Sequence, residues 1–528
     1  MTGPGSLERS TAGFPTSFDD GFDTKLPPGD TFTPHGVIEM LPGVVPPLLW
    51  TINAPMLENA FRTVFTELGA DPPALSRPLV ARTRGRAALN LSALCRVAES
   101  LPGGDPLEVE RQYLGCTITP GLCEGGSRSR WHLLAAIRSR VAHRRIVDEV
   151  ELISTAAHAI ARIDIDVSTL SVSRLAAYRQ RIRDLAWRGY AAEVGASSAA
   201  GATYRALEIL LERWLPDDSA ATWAQRLTSH AIDREGPNPG PPPPRSRSIY
   251  GDEVWVGNYS TGPTSLSSPA DDEGQGEPNR VVLGLLKRDK RWRRIRLLTG
   301  QVIDLRARWL RRQVDETRRF ISLRERAKGA LLVLGGEERR IIDEAADRLV
   351  ASGQLPDASS VEYLSDSELH DMLFWAREAP EGSIERRSRA EMRCRQMEPL
   401  PDWFGGSAAG EDVRPSSSSA LIGLGTSPGS ATGSARIVTS PTDGARLRGG
   451  DILVAHSTDP SWTPLFSRVA GVILETGGTL SHASIVARDL GIPAVLRVPW
   501  ATRLIGDGDQ VEIDGTTGKV EIIGRERQ

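Results

Sequence analysis

The sequence predicts a multidomain protein in which a mainly α-helical domain is followed by a small α/β domain. Three observations lead to this fold class. A chain of 528 residues is longer than one hydrophobic core normally organises. Apolar residues recur with helical spacing over most of residues 75–235, where strand signals are few. After residue 420, short apolar runs separated by glycine-rich turns alternate with one or two helical segments.

Composition divides the chain further. Residues 1–29 are rich in Gly, Ser, Thr, Pro and Asp and are predicted to form a disordered tail. Residues 30–404 are predicted to form the helical domain, interrupted at 236–279 by a low-complexity insertion. Residues 405–419 end in a run of serines and predict a flexible linker. The rest of the chain, 420–528, is predicted to be the α/β domain.

Charge and cysteine content restrict the classes of function. A formal net charge of −3 gives no electrostatic reason to expect a nucleic-acid or membrane partner. The four cysteines include no CxxC pair, so neither a disulfide framework nor a zinc site is indicated. The amino terminus lacks the apolar core of a signal peptide, and no apolar run reaches transmembrane length. We therefore expect a cytoplasmic protein.

Local patterns predict individual elements of the helical domain. Residues 37–50 contain too many prolines for a helix interior and predict a strand or an extended loop. A helix is expected over about 56–68. Helical spacing resumes near residue 281 and continues to about 352 with one or two interruptions. Residues 359–365 predict a short strand followed by a helix N-cap.

Apolar runs also define the strands of the α/β domain. The predicted strands are 421–425, 433–438, 451–455, 469–474, 494–496, 511–513 and 519–523. The segment 514–518, Asp-Gly-Thr-Thr-Gly, predicts a hairpin turn between the last two.

The most informative stretch follows the run 469–474. Gly477 and Gly478 allow a tight turn and a close approach of backbone to a ligand. Ser481 predicts an N-cap, so His482 falls in the first turn of a helix that ends at Gly491. A histidine beside the free N–H groups of a helix N-terminus is placed to carry an anion such as phosphate. A lone histidine there would also fit a cap or a core position, so the surrounding pattern decides.

That pattern resembles the phosphohistidine motif of the PEP-utilising enzymes. Residues 477–493 meet every fixed position of G-G-x-x-S-H-A-x-I-x-A-R-x-x-G-I-P. Residues 423–429, 449–455 and 458–466 are similar to other parts of the swivelling phosphohistidine domain of that family, and the last of these points to its rifampicin phosphotransferase branch. The resemblance implies that the α/β domain swivels and that His482 carries the phosphate.

The earlier part of the chain resembles the same branch. Residues 39–50 are similar to the opening of its antibiotic-binding domain, so the helical domain is expected to bind substrate. Residues 323–328 resemble its R-E-x-x-K helix, which faces the acceptor and the incoming histidine. On this resemblance Arg324 and Lys328 would neutralise the phosphoryl oxygens. Glu325 would be the base for the acceptor hydroxyl.

A neutral imidazole, with an unperturbed pKa of about 6.5, can accept a phosphoryl group near pH 7 and pass it on. The candidates for holding substrate or phosphate beside His482 are Thr476, Gly477, Gly478, Ser481 and Arg488. No metal-ligating set is apparent. His35 and His456 lie nearest the recognisable motifs and are second candidates for acceptor chemistry. The remaining histidines are interpreted as structural or surface residues.

The resemblance implies a phosphotransferase that transfers a phosphoryl group from His482 to a hydroxyl of a small, fairly hydrophobic molecule, an antibiotic or natural product. The sequence shows no counterpart of the family's ATP-grasp domain and no directly bound cofactor. A separate ATP-grasp protein is therefore expected to use ATP and Mg²⁺ to charge His482. Two alternatives stay open. One is a catalytically incomplete homologue that binds or senses a small molecule. The other is an enzyme in which phosphorylation drives an elimination in biosynthesis.

Overall fold

The computed structural model describes most of the chain, in segments. The described residues are 23–101, 104–114, 132–163, 165–214, 220–229, 246–247, 253–254, 294–296, 302–398, 400–405, 420–458 and 462–525. The described part of 23–405 is called the helical body below, and 420–525 the C-terminal unit. The predicted linker beyond residue 405, most of the predicted insertion and the first 22 residues of the predicted tail lie outside the described residues.

Helices dominate the helical body. In chain order they are α1 (Pro47–Leu68), α2 (Leu91–Ser100), α3 (Pro106–Leu114), α4 (His132–Arg162), α5 (Val172–Trp214), α6 (Ala220–Thr228), α7 (Leu305–Ala351), α8 (Asp366–Trp375) and α9 (Ser383–Gln396). Short 3₁₀ turns lie at Pro72–Leu75, Val167–Thr169 and Ala358–Tyr363. The two longest helices, α5 and α7, pack against each other, and α1 and α4 pack against α5. The middle of α7 therefore faces the centre of the body.

The body also contains short strands. They are β1 (Thr31–Thr33), β2 (Val80–Thr83), β3 (Arg86–Asn90), β4 (Ser246–Arg247), β5 (Glu253–Val254), β6 (Arg294–Arg296), β7 (Val302–Asp304) and β8 (Phe404–Gly405). An antiparallel sheet has the order β2-β3-β1-β8, so it joins the start of the body to its end. β4 pairs with β5, and β6 pairs with β7.

An eight-stranded mixed sheet forms the C-terminal unit, counted over the described residues. Its strands are β9 (Ala420–Ile422), β10 (Leu424–Ser427), β11 (Ser430–Ile437), β12 (Ile452–Ala455), β13 (Gly471–Leu474), β14 (Ala494–Leu496), β15 (Gln510–Asp514) and β16 (Lys519–Gly524). The order is β10-β14-β13-β12-β11-β15-β16-β9. Neighbouring strands from β11 to β14 are parallel and the other neighbours are antiparallel. Its helices are α10 (Thr463–Phe466), α11 (His482–Leu490) and α12 (Ala501–Leu504), and a 3₁₀ turn covers Pro441–Arg446.

Both faces of this sheet are covered, because alternate side chains of a strand point to opposite faces. Leu453 and Leu474 lie in one core with Val486 of α11. Ile452 and Ile473 lie in a second core, which contains residues of α12, β15 and β16. The loop after β13 leads into α11, so His482 lies beyond the carboxyl end of a central parallel strand, where α/β sheets commonly bind ligands.

The structure corrects several expectations for the body. The segment predicted to be extended becomes helical from Pro47, because a proline in the first turn costs no backbone hydrogen bond, and Pro55 is accommodated inside the same helix. Residues 294–296 and 302–304 are strands rather than helix. The predicted strand near 359–365 is a 3₁₀ turn, whereas Ser365 is the expected N-cap and forms a capping box with Glu368.

Part of the predicted disordered tail is ordered against the body. The backbone N–H of Thr24 donates to the Arg82 carbonyl over 2.8 Å. The Asp23 carboxylate accepts a hydrogen bond from the Gly85 N–H over 3.2 Å. Leu26 packs against the cluster that contains Phe32. These contacts extend the pairing at the edge of the small sheet, which the polar composition of the segment did not indicate.

Candidate active site

His482 is the first residue of α11. Ser481 is the N-cap, and its side chain accepts a hydrogen bond from the Ser484 N–H. Gly491 ends the helix in the left-handed conformation, with φ of 69°. Both positions agree with the sequence prediction. The His482 side chain is buried and only 3% exposed, although it lies in the first turn of the helix.

The imidazole of His482 contacts one residue from each part of the chain. Its Nδ1 lies 2.5 Å from Glu325 Oε2 on α7, and its Nε2 lies 2.9 Å from the Thr463 hydroxyl on α10. An ionised carboxylate only accepts hydrogen bonds, so Nδ1 carries the hydrogen and donates it to Glu325. The Nε2 lone pair of the neutral ring then accepts from Thr463. This tautomer leaves Nε2 as the nucleophilic nitrogen.

The carboxyl group of Glu325 is held in its ionised form. Burial acts to raise its pKa, but the positive charge that the His482 ring carries when it is protonated, the hydrogen bond from that ring, and the cations Lys328 and Arg324 together outweigh burial and lower the pKa to about 2. The family resemblance implies that Glu325 is the base for the acceptor hydroxyl. The structure instead places its carboxylate on His482, and so low a pKa makes it a weak base.

Arg324 and Lys328 are already paired with a carboxylate. Lys328 Nζ is hydrogen-bonded to Glu39 Oε2, and Arg324 Nη2 lies 3.4 Å from the same oxygen. All three side chains are largely buried. Burial acts to raise the pKa of Glu39, but Lys328 and Arg324 lower it overall. The two cations predicted for phosphate neutralisation therefore share a buried anion in this state.

Arg324 also connects the body to the loop before His482. Its guanidinium donates to the Leu480 carbonyl, and its Nε donates to Ser197 Oγ over 2.9 Å. Ser197 in turn donates to Glu193 over 2.7 Å. Burial acts to lower the Arg324 pKa, but the neighbouring carboxylates, first Glu325, raise it overall, so the guanidinium is charged.

The two glycines of the motif shape the turn before α11. Gly477 has φ of 113°, and a Cβ there would lie 2.6 Å from a methyl carbon of Leu496. Gly478 is less confined, since the nearest atom to a Cβ would be 3.4 Å away. Its carbonyl accepts from the Ser484 hydroxyl over 2.7 Å. Gly477 thus requires glycine, while Gly478 leaves room at the cavity described below.

Thr476 and Arg488 make contacts within the structure rather than facing an open site. The Thr476 hydroxyl donates to the His456 carbonyl over 3.0 Å. Arg488 is buried and donates to the Thr479 carbonyl over 2.7 Å, which holds the loop against α11. Burial lowers the Arg488 pKa although Tyr204 opposes this shift. Neither residue is among the described residues that line the cavity.

A cavity of about 310 Å³ lies between the helical body and the C-terminal unit. This volume is at the lower end of the range typical of small-molecule sites. Its polar lining includes the predicted residues Arg324, Lys328, Gly477, Gly478 and Ser481, and its apolar lining includes Ile38, Met40, Leu57, Phe61, Leu89, Val194 and Leu480. His482 and Glu325 are not among the described lining residues but adjoin them in sequence.

The two parts of the chain are in close contact at this site. Ile485 of α11 is 2% exposed and packs in a cluster with Phe320 and Leu323 of α7. Arg497 donates to the Gly477 carbonyl over 2.7 Å and to the Tyr113 carbonyl over 2.6 Å. Arg497 has φ of 55°, which is unusual for a residue with a side chain. The C-terminal unit is therefore docked on the body by apolar packing and by an arginine.

The two second-choice histidines occupy different settings. His35 is buried in the body, lines the cavity, and places Nε2 2.9 Å from Asp402 Oδ1. His456 is partly exposed in the C-terminal unit, with Nδ1 2.6 Å from Glu475 Oε2.

Several residues of the site carried no functional assignment in the sequence. Glu39, Thr463 and Arg497 are in this group. Glu39 is the single acidic residue in an apolar, proline-rich segment. Once that segment is known to be folded, a buried carboxylate in it indicates a charged partner nearby. Thr463 lies in a segment that resembles the family. Arg497 has no sequence signal, because its partner Tyr113 is 384 residues away.

No helix in the described segments is both long and apolar enough to cross a membrane. Within the same segments, no group of three or more His, Cys, Asp or Glu residues could hold a metal ion.

The part of the chain that contains His482 matches a known protein family. Residues 447–518 match the model of the PEP-utilising enzyme, mobile domain. This stretch contains His482, so the C-terminal unit is similar to that mobile domain and is called the mobile domain below. The resemblance found in the sequence is confirmed.

Among characterised proteins the chain is similar to rifampicin phosphotransferases. That of a Streptomyces species is 35% identical over 219 residues, which is 40% of this chain and 25% of the relative. That of Bacillus subtilis is 32% identical over 222 residues, or 42% and 26%. A prodigiosin synthesizing transferase, PigC, of Serratia marcescens is 35% identical over 197 residues, or 36% and 22%. Each match spans about a quarter or less of the relative's length.

Proposed function

We propose that the protein carries a phosphoryl group on Nε2 of His482 and transfers it to a hydroxyl of a small, largely apolar molecule in the cavity. The observation that carries this proposal is the contact between His482 and Glu325, since Glu325 fixes the tautomer in which Nε2 is the nucleophile. The similarity to phosphotransferases that the comparisons name supports the same reaction class.

In this proposal Arg324 and Lys328 neutralise the transferred group. The incoming phosphoryl oxygens compete with Glu39 for these two cations, and Ser481 and Gly478, which line the cavity, belong to the loop that leads into His482. The acceptor oxygen attacks phosphorus, the P–Nε2 bond breaks, and its electron pair returns to the imidazole. Glu325 is a positioning residue for His482 in this scheme rather than the base for the hydroxyl.

Charging of His482 requires a different arrangement of the two parts. The His482 side chain is 3% exposed and its Nδ1 is bound to Glu325 of the body, so a donor protein cannot reach the ring while the mobile domain is docked. Undocking separates His482 from Glu325 and breaks the Arg497 and Ile485 contacts, whereas Thr463 belongs to the mobile domain and has to turn away from Nε2 for charging. The family resemblance implies that the donor is an ATP-grasp protein that uses ATP and Mg²⁺.

Incubation with an ATP-grasp protein and ATP labelled at the γ-phosphate tests the carrier role. We expect an acid-labile, alkali-stable label on the wild-type protein and none on His482→Ala. His370→Ala is the matched control, because His370 is an exposed histidine of α8 whose ring contacts Phe374. Equal labelling of His482→Ala would refute the proposal. Ligand binding that survives in His482→Ala, without phosphate transfer from the wild type, would favour a binding or sensing protein.

A further inference from the structure

We propose that His35 is the general base that removes the proton from the acceptor hydroxyl, with Asp402 as its orienting partner. This inference deepens the proposed function and rests on it. It assigns a base for the acceptor hydroxyl, a role that Glu325 does not fill in the proposed function because its carboxylate is bound to His482. It also places the base on the helical body, opposite the mobile domain that delivers the phosphate.

The geometry of His35 separates its two ring nitrogens. Nε2 lies 2.9 Å from Asp402 Oδ1, so it carries the hydrogen and donates it to that carboxylate. Nδ1 is buried and has no hydrogen-bond partner among the residues that the structure describes. A buried nitrogen lone pair without a partner is costly in a folded protein, and a ligand hydroxyl would satisfy it. The His35 side chain is 3% exposed and lines the cavity.

His35 lies in the same cavity wall as the phosphate-neutralising residues. It is four residues before Glu39, in the turn segment after β1, and Glu39 is the partner of Lys328 and Arg324. Because His35, Arg324 and Lys328 line one cavity, we infer that a hydroxyl bound to His35 Nδ1 lies in that cavity with the two cations. A base and an electrostatic stabiliser that face one cavity are the two elements needed for transfer to an alcohol.

The charges around His35 favour its neutral, basic form. Burial lowers its pKa most strongly, and Asp402 opposes this shift. Two positive or titratable groups of the mobile domain, Arg497 and His456, lower it further. Docking of the mobile domain therefore favours a neutral His35 at the moment when the phosphohistidine arrives.

The proton and the electrons balance in this step. The acceptor O–H bond breaks, and its proton moves to His35 Nδ1. The freed oxygen forms a bond to phosphorus as the P–Nε2 bond of phospho-His482 breaks. The imidazolium on His35 is stabilised by Asp402 until the proton leaves to water after undocking.

The test uses full-length protein charged chemically with phosphoramidate, so no donor protein is needed. Two acceptors of similar size serve as probes, 4-nitrobenzyl alcohol and 4-nitrophenol. Single-turnover loss of phosphohistidine and formation of each phosphate ester are followed by ³¹P NMR for wild type, His35→Asn, Asp402→Asn and the exposed control His370→Asn. We expect His35→Asn to slow transfer to the alcohol by about 100-fold or more. Transfer to 4-nitrophenol should change far less, because that probe is already largely ionised at pH 8.

An equal loss with both probes would mean that His35 is only structural, and an unchanged rate with the alcohol would also overturn the proposal. If wild-type phosphoprotein transfers to neither probe, the proposed function fails for these acceptors, and ¹⁵N-histidine NMR then decides the role of His35. A shift of the His35 Nδ1 resonance on addition of 4-nitrobenzyl alcohol supports hydroxyl binding at that nitrogen. An unmoved resonance, with the probe present in excess, contradicts it.

Discussion

The carboxylate of Glu325 and the imidazole of His482 lie 2.5 Å apart although 157 residues separate them in the chain. One belongs to the longest helix of the body and the other to the mobile domain. This contact joins the two parts of the chain in the docked arrangement, and it orients His482 so that Nε2, the nitrogen proposed to carry the phosphate, faces Thr463.

The first prediction concerns the pH dependence of stability. Because the folded-state pKa of Glu325 is lowered to about 2, its ionised form stabilises the fold fully above the unfolded pKa near 4.5, and this contribution is lost as pH falls towards 2. The shift corresponds to a contribution on the order of 3 kcal/mol. Urea unfolding of Glu325→Gln at several pH values should therefore show a shallower loss of stability between pH 4.5 and 2 than wild type. The exposed control Glu378→Gln should match wild type, and identical slopes for Glu325→Gln and wild type would contradict the assignment.

The second prediction concerns the buried pair of Lys328 and Glu39. Lys328→Met leaves the Glu39 carboxylate buried with only the more distant Arg324 cation, and we expect it to destabilise the protein by about 3 kcal/mol. Adding Glu39→Gln removes the buried charge and should recover at least half of that loss. The four proteins form a double-mutant cycle measured by urea unfolding. Additive effects would show that the two side chains do not interact.

The third prediction concerns docking. Arg497→Gln removes hydrogen bonds to carbonyl oxygens in both parts of the chain, at Gly477 in the mobile domain and at Gln112 and Tyr113 in the body, so we expect the mobile domain to undock more often. Hydrogen exchange of residues 477–481 and of 112–114 should rise several-fold, while that of β12 stays constant. The exposed Arg446, whose ion pair with Asp507 lies within the mobile domain, provides the control variant Arg446→Gln. Unchanged exchange in Arg497→Gln would show that the other contacts between the two parts hold the docked state without Arg497.

The fourth prediction concerns the N-cap of α11. Ser481→Ala removes the side-chain acceptor for the Ser484 N–H and should cost about 1 kcal/mol. Ser481→Thr keeps an acceptor and should cost clearly less. Thermal unfolding followed by circular dichroism compares the three proteins. Equal losses in both variants would mean that the cost comes from packing around Ser481 rather than from the cap.

Local sequence signals predicted the C-terminal unit better than the helical body. The strand Ala494–Leu496, the N-cap at Ser481 and the C-cap at Gly491 were predicted at the residues where they occur. These elements are short, and their capping and turn residues act locally. In the body, Pro47 was interpreted as a helix breaker, yet it begins α1, because a first-turn proline is compatible with a helix. Residues 294–296 became a strand although their charged pattern is compatible with a helix.

The sequence by itself identified His482 as the candidate phosphate carrier. The seventeen-residue motif around His482 resembles that of a known family at every fixed position, and the helix that holds it depends on neighbouring residues alone. It also identified Arg324, Glu325 and Lys328 as one group, because one helical turn brings them together.

Only the tertiary structure decided what these residues contact. It placed Glu325 on His482 rather than free to act as a base, and it paired Lys328 with Glu39 across 289 positions of the chain. It also brought His35 and Asp402, 367 positions apart, to the cavity. Such contacts depend on the packing of the body and on the docking of the mobile domain. No local pattern encodes them, because each partner alone is an ordinary charged or titratable residue.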